Sequence, residues 1–118
     1  MARIIIIEDE QDQVELYRLV LAAAGHAVIG AGPWIDQARP RRGDIPDLII
    51  LDERLHGRSG STLIPQLRRE FPGAAILLLT ADPDAVDEAV RRGADEGKQK
   101  PVAFSKLLAN IEGLLGAK

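Results

Sequence analysis

The sequence predicts an α/β fold, a three-layer α/β/α sandwich on a five-stranded parallel sheet. Two observations carry this expectation. Short apolar runs rich in Ile and Leu alternate with segments of helical period, and most runs end on a polar residue followed by a turn. Strands that alternate with helices pair in parallel, joined by right-handed crossovers that cover both faces of the sheet.

Each element has its own reason. Arg3 to Ile7 is the first strand, because four consecutive isoleucines suit a strand buried on both faces; it runs into Glu8, Asp9 and Glu10. Residues 11–24 follow helical spacing through Val14, Tyr17, Val20 or Leu21, and Ala24, and Gly25 stops the helix. Residues 26–29 form the second strand, and Gly30, Gly32 and Pro33 read as a loop. A weak helix over 34–39 is cut short by Pro40. Residues 48–51 are the third strand, which delivers Asp52 to its carboxyl end ahead of a loop holding Gly57 and Gly60. Residues 61–70 are helical through Leu63, Ile64 and Leu67, with Pro65 near the first turn. Residues 74–79 form the fourth strand and lead to Thr80. Asp82-Pro83 supplies an N-cap and a proline at the first helical position, and Ala85, Val86, Ala89 and Val90 form the inner face up to Gly93. A short polar strand over 95–99 is closed by Lys100-Pro101. The last helix has the clearest period, with Phe104, Leu107, Leu108, Ile111, Leu114 and Leu115 on one face.

Composition bounds the function. At 118 residues the chain is expected to be one domain, 1–118, with the 46% hydrophobic and 28% charged residues of an ordinary globule. A net charge of -3 gives no footprint for direct nucleic-acid binding, and the small arginine groups at 39–42, 68–69 and 91–92 read as solvated faces. Without cysteine there is no disulfide framework and no thiolate metal site. The longest apolar run, Ile4 to Ile7, is far below a membrane span, and acids interrupt the first twenty residues where a signal peptide would be apolar. No membrane partner and a cytoplasmic location are the expectation.

The strand ends hold the chemistry. In an open parallel sheet, sites are built at the carboxyl edge, and the familiar order for five such units is 2-1-3-4-5, the flavodoxin-like arrangement. That edge collects Glu8, Asp9, Asp52, Thr80 and Lys100. Clustered carboxylates repel and raise one another's pKa unless a cation is present. A hard divalent ion answers this, and Mg2+, which takes one or two carboxylates and keeps several waters, fits better than a caged Ca2+. With Thr80 as hydroxyl donor and Lys100 as a point charge, the pocket has what a phosphoryl group needs, and the remaining carboxylate can be the nucleophile.

Ile-Ile-Glu-Asp-Glu at 6–10, Pro-Asp-Leu-Ile-Ile-Leu-Asp at 46–52, Leu-Leu-Leu-Thr-Ala at 77–81, Gly-Ala-Asp at 93–95 and Lys-Pro at 100–101 together resemble the response-regulator receiver domain of two-component signalling, chemotaxis regulators included. The resemblance covers essentially the whole chain. It implies that Asp52 accepts a phosphoryl group from a sensor histidine kinase or phosphotransfer protein, with Mg2+ held by Asp9, Asp52 and the backbone carbonyl of Arg54. Glu8 then acts on the metal largely through water, Thr80 and the Ala81 amide bind the phosphoryl oxygens, and Lys100 pairs with them. It also implies a phosphoacceptor switch that catalyses only its own phosphorylation and dephosphorylation and then signals to a downstream protein.

The chain departs from the family pattern at the fifth strand and after Asp52. Gly97 stands where most members carry a switching aromatic, Lys98 replaces an aliphatic, and His56 takes the place of a usual proline. A glycine cannot report by rotamer, so output is expected through backbone movement of the loop after the fourth strand. Arg54 and Asp82 flank the pocket and are expected to pair and gate water. His26 and Trp34 read as structural. Two other functions stay open: a receiver-like interaction module that never turns over phosphate, suggested by Gly97 and Lys98, and a flavodoxin-like cofactor binder. Against the binder, the first strand leads into acids rather than a phosphate-cradling loop, and only 3% of residues are aromatic, leaving little to stack on a flavin.

Overall fold

The structure is a computed structural model and describes residues 1–116. In chain order the elements are β1 (Arg3–Ile7), α1 (Gln11–Ala23), β2 (Ala27–Gly32), α2 (Ile35–Ala38), β3 (Leu48–Asp52), β4 (Arg54–Leu55), β5 (Arg58–Ser59), α3 (Ile64–Glu70), β6 (Ala75–Thr80), α4 (Pro83–Arg91), β7 (Glu96–Gln99) and α5 (Phe104–Gly116). The main sheet is parallel with the order β2-β1-β3-β6-β7. Numbered without the small β4-β5 hairpin, this is the expected 2-1-3-4-5.

Strand alternation divides the interior into two cores. Ile5, Ile7, Ile49, Leu51, Ile76 and Leu78 face α2, α3 and α4. Ile4, Ile6, Leu48, Ile50, Leu77 and Leu79 face α1 and α5, where Leu107 and Ile111 of α5 are buried as their period requires. Every residue of β1 from Ile4 onward, and all of β3 and β6, is buried, so these three central strands fix the frame on which their carboxyl ends sit.

The differences from expectation are local. β2 runs on to Gly32 through glycines that read as a loop. The segment after Gly60 opens as a turn of 3-10 helix over Gly60–Leu63 before α3 begins, with Pro65 in its first turn. A hairpin pairing Arg54 with Ser59 and Leu55 with Arg58 lies within the segment that reads as a loop. His26 is structural: its Nδ1 accepts the Ala2 N–H at 3.0 Å, which leaves Nε2 as the protonated nitrogen, 3.0 Å from Glu112 Oε1 on α5. Trp34 packs partly buried against the α2-α3-α4 core. No helix among the described residues is long and apolar enough to cross a membrane.

Candidate functional site

The same alternation that builds the cores sorts the polar strand ends. Glu8 continues the parity of Ile4 and Ile6, and Asp52 that of Leu48 and Ile50, so both fall on the α1-α5 side of the sheet. Lys98 pairs with Leu79 of that side, and Lys100 continues its parity. Thr80 follows Ile76 and Leu78 and belongs to the α4 side.

At that edge Lys100 meets two acids. Lys100 Nζ lies 2.7 Å from Asp52 Oδ1 and 3.7 Å from Glu8 Oε1. Glu8 and Asp52 are buried, and the Asp9 side chain is 18% exposed at the mouth of the pocket. One carboxylate oxygen from each of Glu8, Asp9 and Asp52 lies within 4.8 Å of the others. Three hard oxygen donors at that spacing fit a divalent cation.

Electrostatics sets Glu8 and Asp9 apart. Burial, then the charge of Asp52, pushes the Glu8 carboxyl up to about 7 against the pull of Lys100. Glu8 Oε2 also accepts the Asp9 N–H at 3.0 Å and the Glu10 N–H at 3.4 Å. Asp9 goes the other way. Its burial works to raise it, but the His56 N–H, donated to Asp9 Oδ2 at 2.9 Å, leads the effects that hold it below the ordinary carboxylate value. Mutual repulsion therefore does not raise every acid in the cluster, because a main-chain donor reaches one of them. Burial works to lower Lys100, and the hydrogen bond and charge of Asp52, with Glu8 behind it, outweigh burial and raise it.

Thr80 is buried, and its Oγ1 accepts the Asp82 N–H at 3.0 Å, which leaves the hydroxyl proton available to an acceptor in the pocket. Ala81, between them, is exposed. Asp82 does not pair with Arg54: among the described residues no ion pair joins them. The Asp82 carboxylate caps α4 instead, accepting the Asp84 N–H at 3.0 Å, while Arg54 stands exposed on the hairpin. A groove of about 440 Å3 opens beside Lys100 between α1 and α5, lined by Leu16, Tyr17, Ala81, Pro101 and Phe104 among others.

On the α4 side, Gly97 permits close packing. A Cβ there would stand 2.9 Å from the Val86 carbonyl oxygen and 3.2 Å from Val86 Cγ1. Helix α4 thus occupies the space that a side chain at 97 would need. His56 has a place beside the site as well. Its ring is exposed, but its main chain reaches the site, and the adjacent His56-Gly57 pair inside a short polar loop was the available signal for a two-residue turn.

The receiver-domain family model of response regulators matches residues 4–112. The chain belongs to that family. Among curated relatives of this receiver domain, the DNA-binding response regulator MtrA of Mycolicibacterium smegmatis is 34% identical over 118 residues, covering 96% of this chain and 50% of that protein. The alkaline phosphatase synthesis transcriptional regulatory protein PhoP of Bacillus subtilis is 30% identical over 115 residues, covering 96% and 48%. The receiver domain described here spans about half the length of these relatives. Two solved structures share the fold. A CheY-like receiver domain protein from Methanospirillum hungatei has a TM-score of 0.87 at 21% identity, over 99% of this chain and 95% of that one. A two-component response regulator from Clostridium difficile has a TM-score of 0.85 at 22% identity, over 98% and 96%.

Proposed function

We propose that this chain is a single receiver domain over 1–118 that takes a phosphoryl group onto Asp52 in a Mg2+-dependent reaction. The donor is a sensor histidine kinase or a phosphotransfer protein, the setting is cytoplasmic, and the signal passes to a downstream protein. The observation that carries this reading is the placement of Asp52: buried at the carboxyl end of β3, 2.7 Å from Lys100 Nζ and clustered with Glu8 and Asp9.

In this reading an Asp52 carboxylate oxygen attacks phosphorus, a P–O bond forms, and the P–N bond to the donor imidazole breaks. Lys100 exchanges its hydrogen bond with Asp52 for one to the arriving phosphoryl oxygens. Thr80 donates its hydroxyl proton to another, and the Ala81 amide to a third. Asp9, Asp52 and the Arg54 carbonyl would hold Mg2+, with Glu8 acting through water. Bound there, the ion neutralises charge on the transferring group.

Mass measurement after incubation with Mg2+ and acetyl phosphate tests the reading. The wild type is expected to gain one phosphoryl group and Asp52→Ala none. No adduct on a folded, Mg2+-binding wild type would favour the phosphate-independent interaction module.

The Glu8 pKa adds a pH dependence. A carboxyl held near 7 in the fold and at its ordinary 4.5 when unfolded favours the folded state below 4.5, and that contribution is lost as pH rises through about 7. Metal loading runs in the opposite sense, because the cation needs Glu8 ionised. Calorimetry is expected to find Mg2+ affinity about tenfold weaker near pH ~6 than near pH ~8, and Glu8→Gln to flatten that dependence.

A further inference from the structure

We propose that the main-chain N–H of His56 is a positioning group of the metal site, fixing the Asp9 carboxylate in the orientation that holds the cation. The proposal rests on the reading that a divalent ion sits among Glu8, Asp9 and Asp52.

The argument begins with the hairpin. Leu55 pairs with Arg58, which leaves His56 and Gly57 as a two-residue loop, with φ of 49° and 79°. Two positive φ values in succession make the type I′ turn that matches the twist of paired strands. In such a turn the N–H of the first loop residue takes no part in the ladder and is free to point outward. Here it meets Asp9 Oδ2 at 2.9 Å, across 47 residues of sequence.

The donor is also held firmly. Leu55 is buried in the α2-α3-α4 core. Beneath the hairpin, Glu53 Oε1 accepts the Ser61 N–H at 3.0 Å and the Ser59 hydroxyl, and the Glu53 carbonyl accepts the Gly60 N–H at 2.6 Å. On its far side, the Arg58 guanidinium lies 4.4 Å from the centre of the Trp34 ring.

Asp9 needs such a partner. It sits in the loop after β1, partly exposed, and the His56 N–H engages one oxygen and leaves the other for a cation. Hydrogen bonds to a charged acceptor are the strong ones, and outer partners of metal-ligating carboxylates typically change metal affinity by tenfold or more. Residue 56 therefore matters through its backbone. A proline has no N–H and cannot reach positive φ, whereas asparagine and glycine keep both properties. The imidazole is secondary: it is 70% exposed, with Nδ1 3.7 Å from Asp9 Oδ2.

The test is Mg2+ calorimetry on four proteins: wild type, His56→Asn, His56→Gly, and a semisynthetic chain with an ester in place of the peptide bond between residues 55 and 56, which removes this N–H and also weakens the Leu55 carbonyl as an acceptor in the turn, an effect the Asp9→Asn background below controls for. Both substitutions are expected to bind within about twofold of wild type, and the ester about tenfold more weakly. In an Asp9→Asn background the ester is expected to have no further effect, which a general loosening of the loop would not produce. An ester chain that binds like wild type overturns the proposal. So does a tenfold loss in His56→Asn and His56→Gly, which would assign the effect to the imidazole. A wild type that binds no Mg2+ overturns the metal reading itself.

Discussion

Gly97→Tyr is expected to destabilise the protein by about 3 kcal/mol and to loosen α4. Two terms compete at this position. Tyrosine is a better strand residue than glycine, by up to about 1 kcal/mol. Against that, its Cβ alone would stand 2.9 Å from the Val86 carbonyl oxygen and 3.3 Å from Val86 Cα. These are backbone atoms in the middle of α4, tied into the helix, so they cannot yield as a flexible side chain would. The helix must lift as a body, and Ala89, fully buried on its inner face, would lose its packing. The steric term wins. Urea unfolding should show a lower midpoint, and hydrogen exchange should rise in α4 before other helices. A Gly97→Tyr protein as stable as wild type would mean that α4 already repositions freely and that an aromatic has somewhere to go. The close packing supports the expectation that any response to phosphorylation leaves through backbone movement after β6, not through a rotating side chain on β7.

The sheet was legible in the sequence for a simple reason. Residues 4–7, 48–51 and 75–79 are buried on both faces, and strands in that position must be continuous apolar runs. Once the runs are placed, their polar ends follow, so Glu8, Asp52 and Thr80 stand at one edge of the sheet, and Lys100, which follows the polar strand β7, comes within 2.7 Å of Asp52. The rest was hidden where one residue type serves two purposes. Gly30 and Gly32 read as loop residues, yet they extend β2, because a Cβ at Gly30 would stand 2.1 Å from the Ala38 carbonyl oxygen and only glycine lets α2 lie that close. Asp82 reads equally well as a helix cap and as a partner for Arg54; its carboxylate accepts the Asp84 N–H only two residues on, a nearer partner than a side chain on a separate hairpin. The contact between His56 and Asp9 is made by a main-chain N–H, and backbone donors leave no mark in side-chain patterns.

Lys100→Ala should separate the stability of the pocket from its chemistry. In the metal-free protein, Lys100 is the cation that faces two buried acids, at 2.7 Å from Asp52 and 3.7 Å from Glu8, and among the described residues neither acid has another ion-pair partner. Removing one partner of a buried pair costs about 3–5 kcal/mol. Since the Lys100 side chain is 31% exposed and water can enter behind it, about 2 kcal/mol is the better expectation. Glu8 can recover part of this by holding its proton to higher pH, so the variant should lose stability more steeply than wild type as pH rises through neutrality. Saturating Mg2+ is expected to restore the fold, because a ligand present at a hundred times its Kd adds about 2.7 kcal/mol and the unneutralised carboxylates should bind it more tightly than in wild type. Phosphorylation by acetyl phosphate should not recover. In the proposed transfer the Lys100 charge acts on the phosphoryl oxygens, and removing one such donor is expected to slow the reaction by about 10² to 10³. Thermal unfolding with and without Mg2+, beside the rate of adduct formation, reads both effects on the same samples. If Lys100→Ala were as stable as wild type at neutral pH without metal, the Lys100 contacts with Asp52 and Glu8 would contribute nothing to the fold; if Mg2+ restored the rate as well, Lys100 would have no part in the transfer.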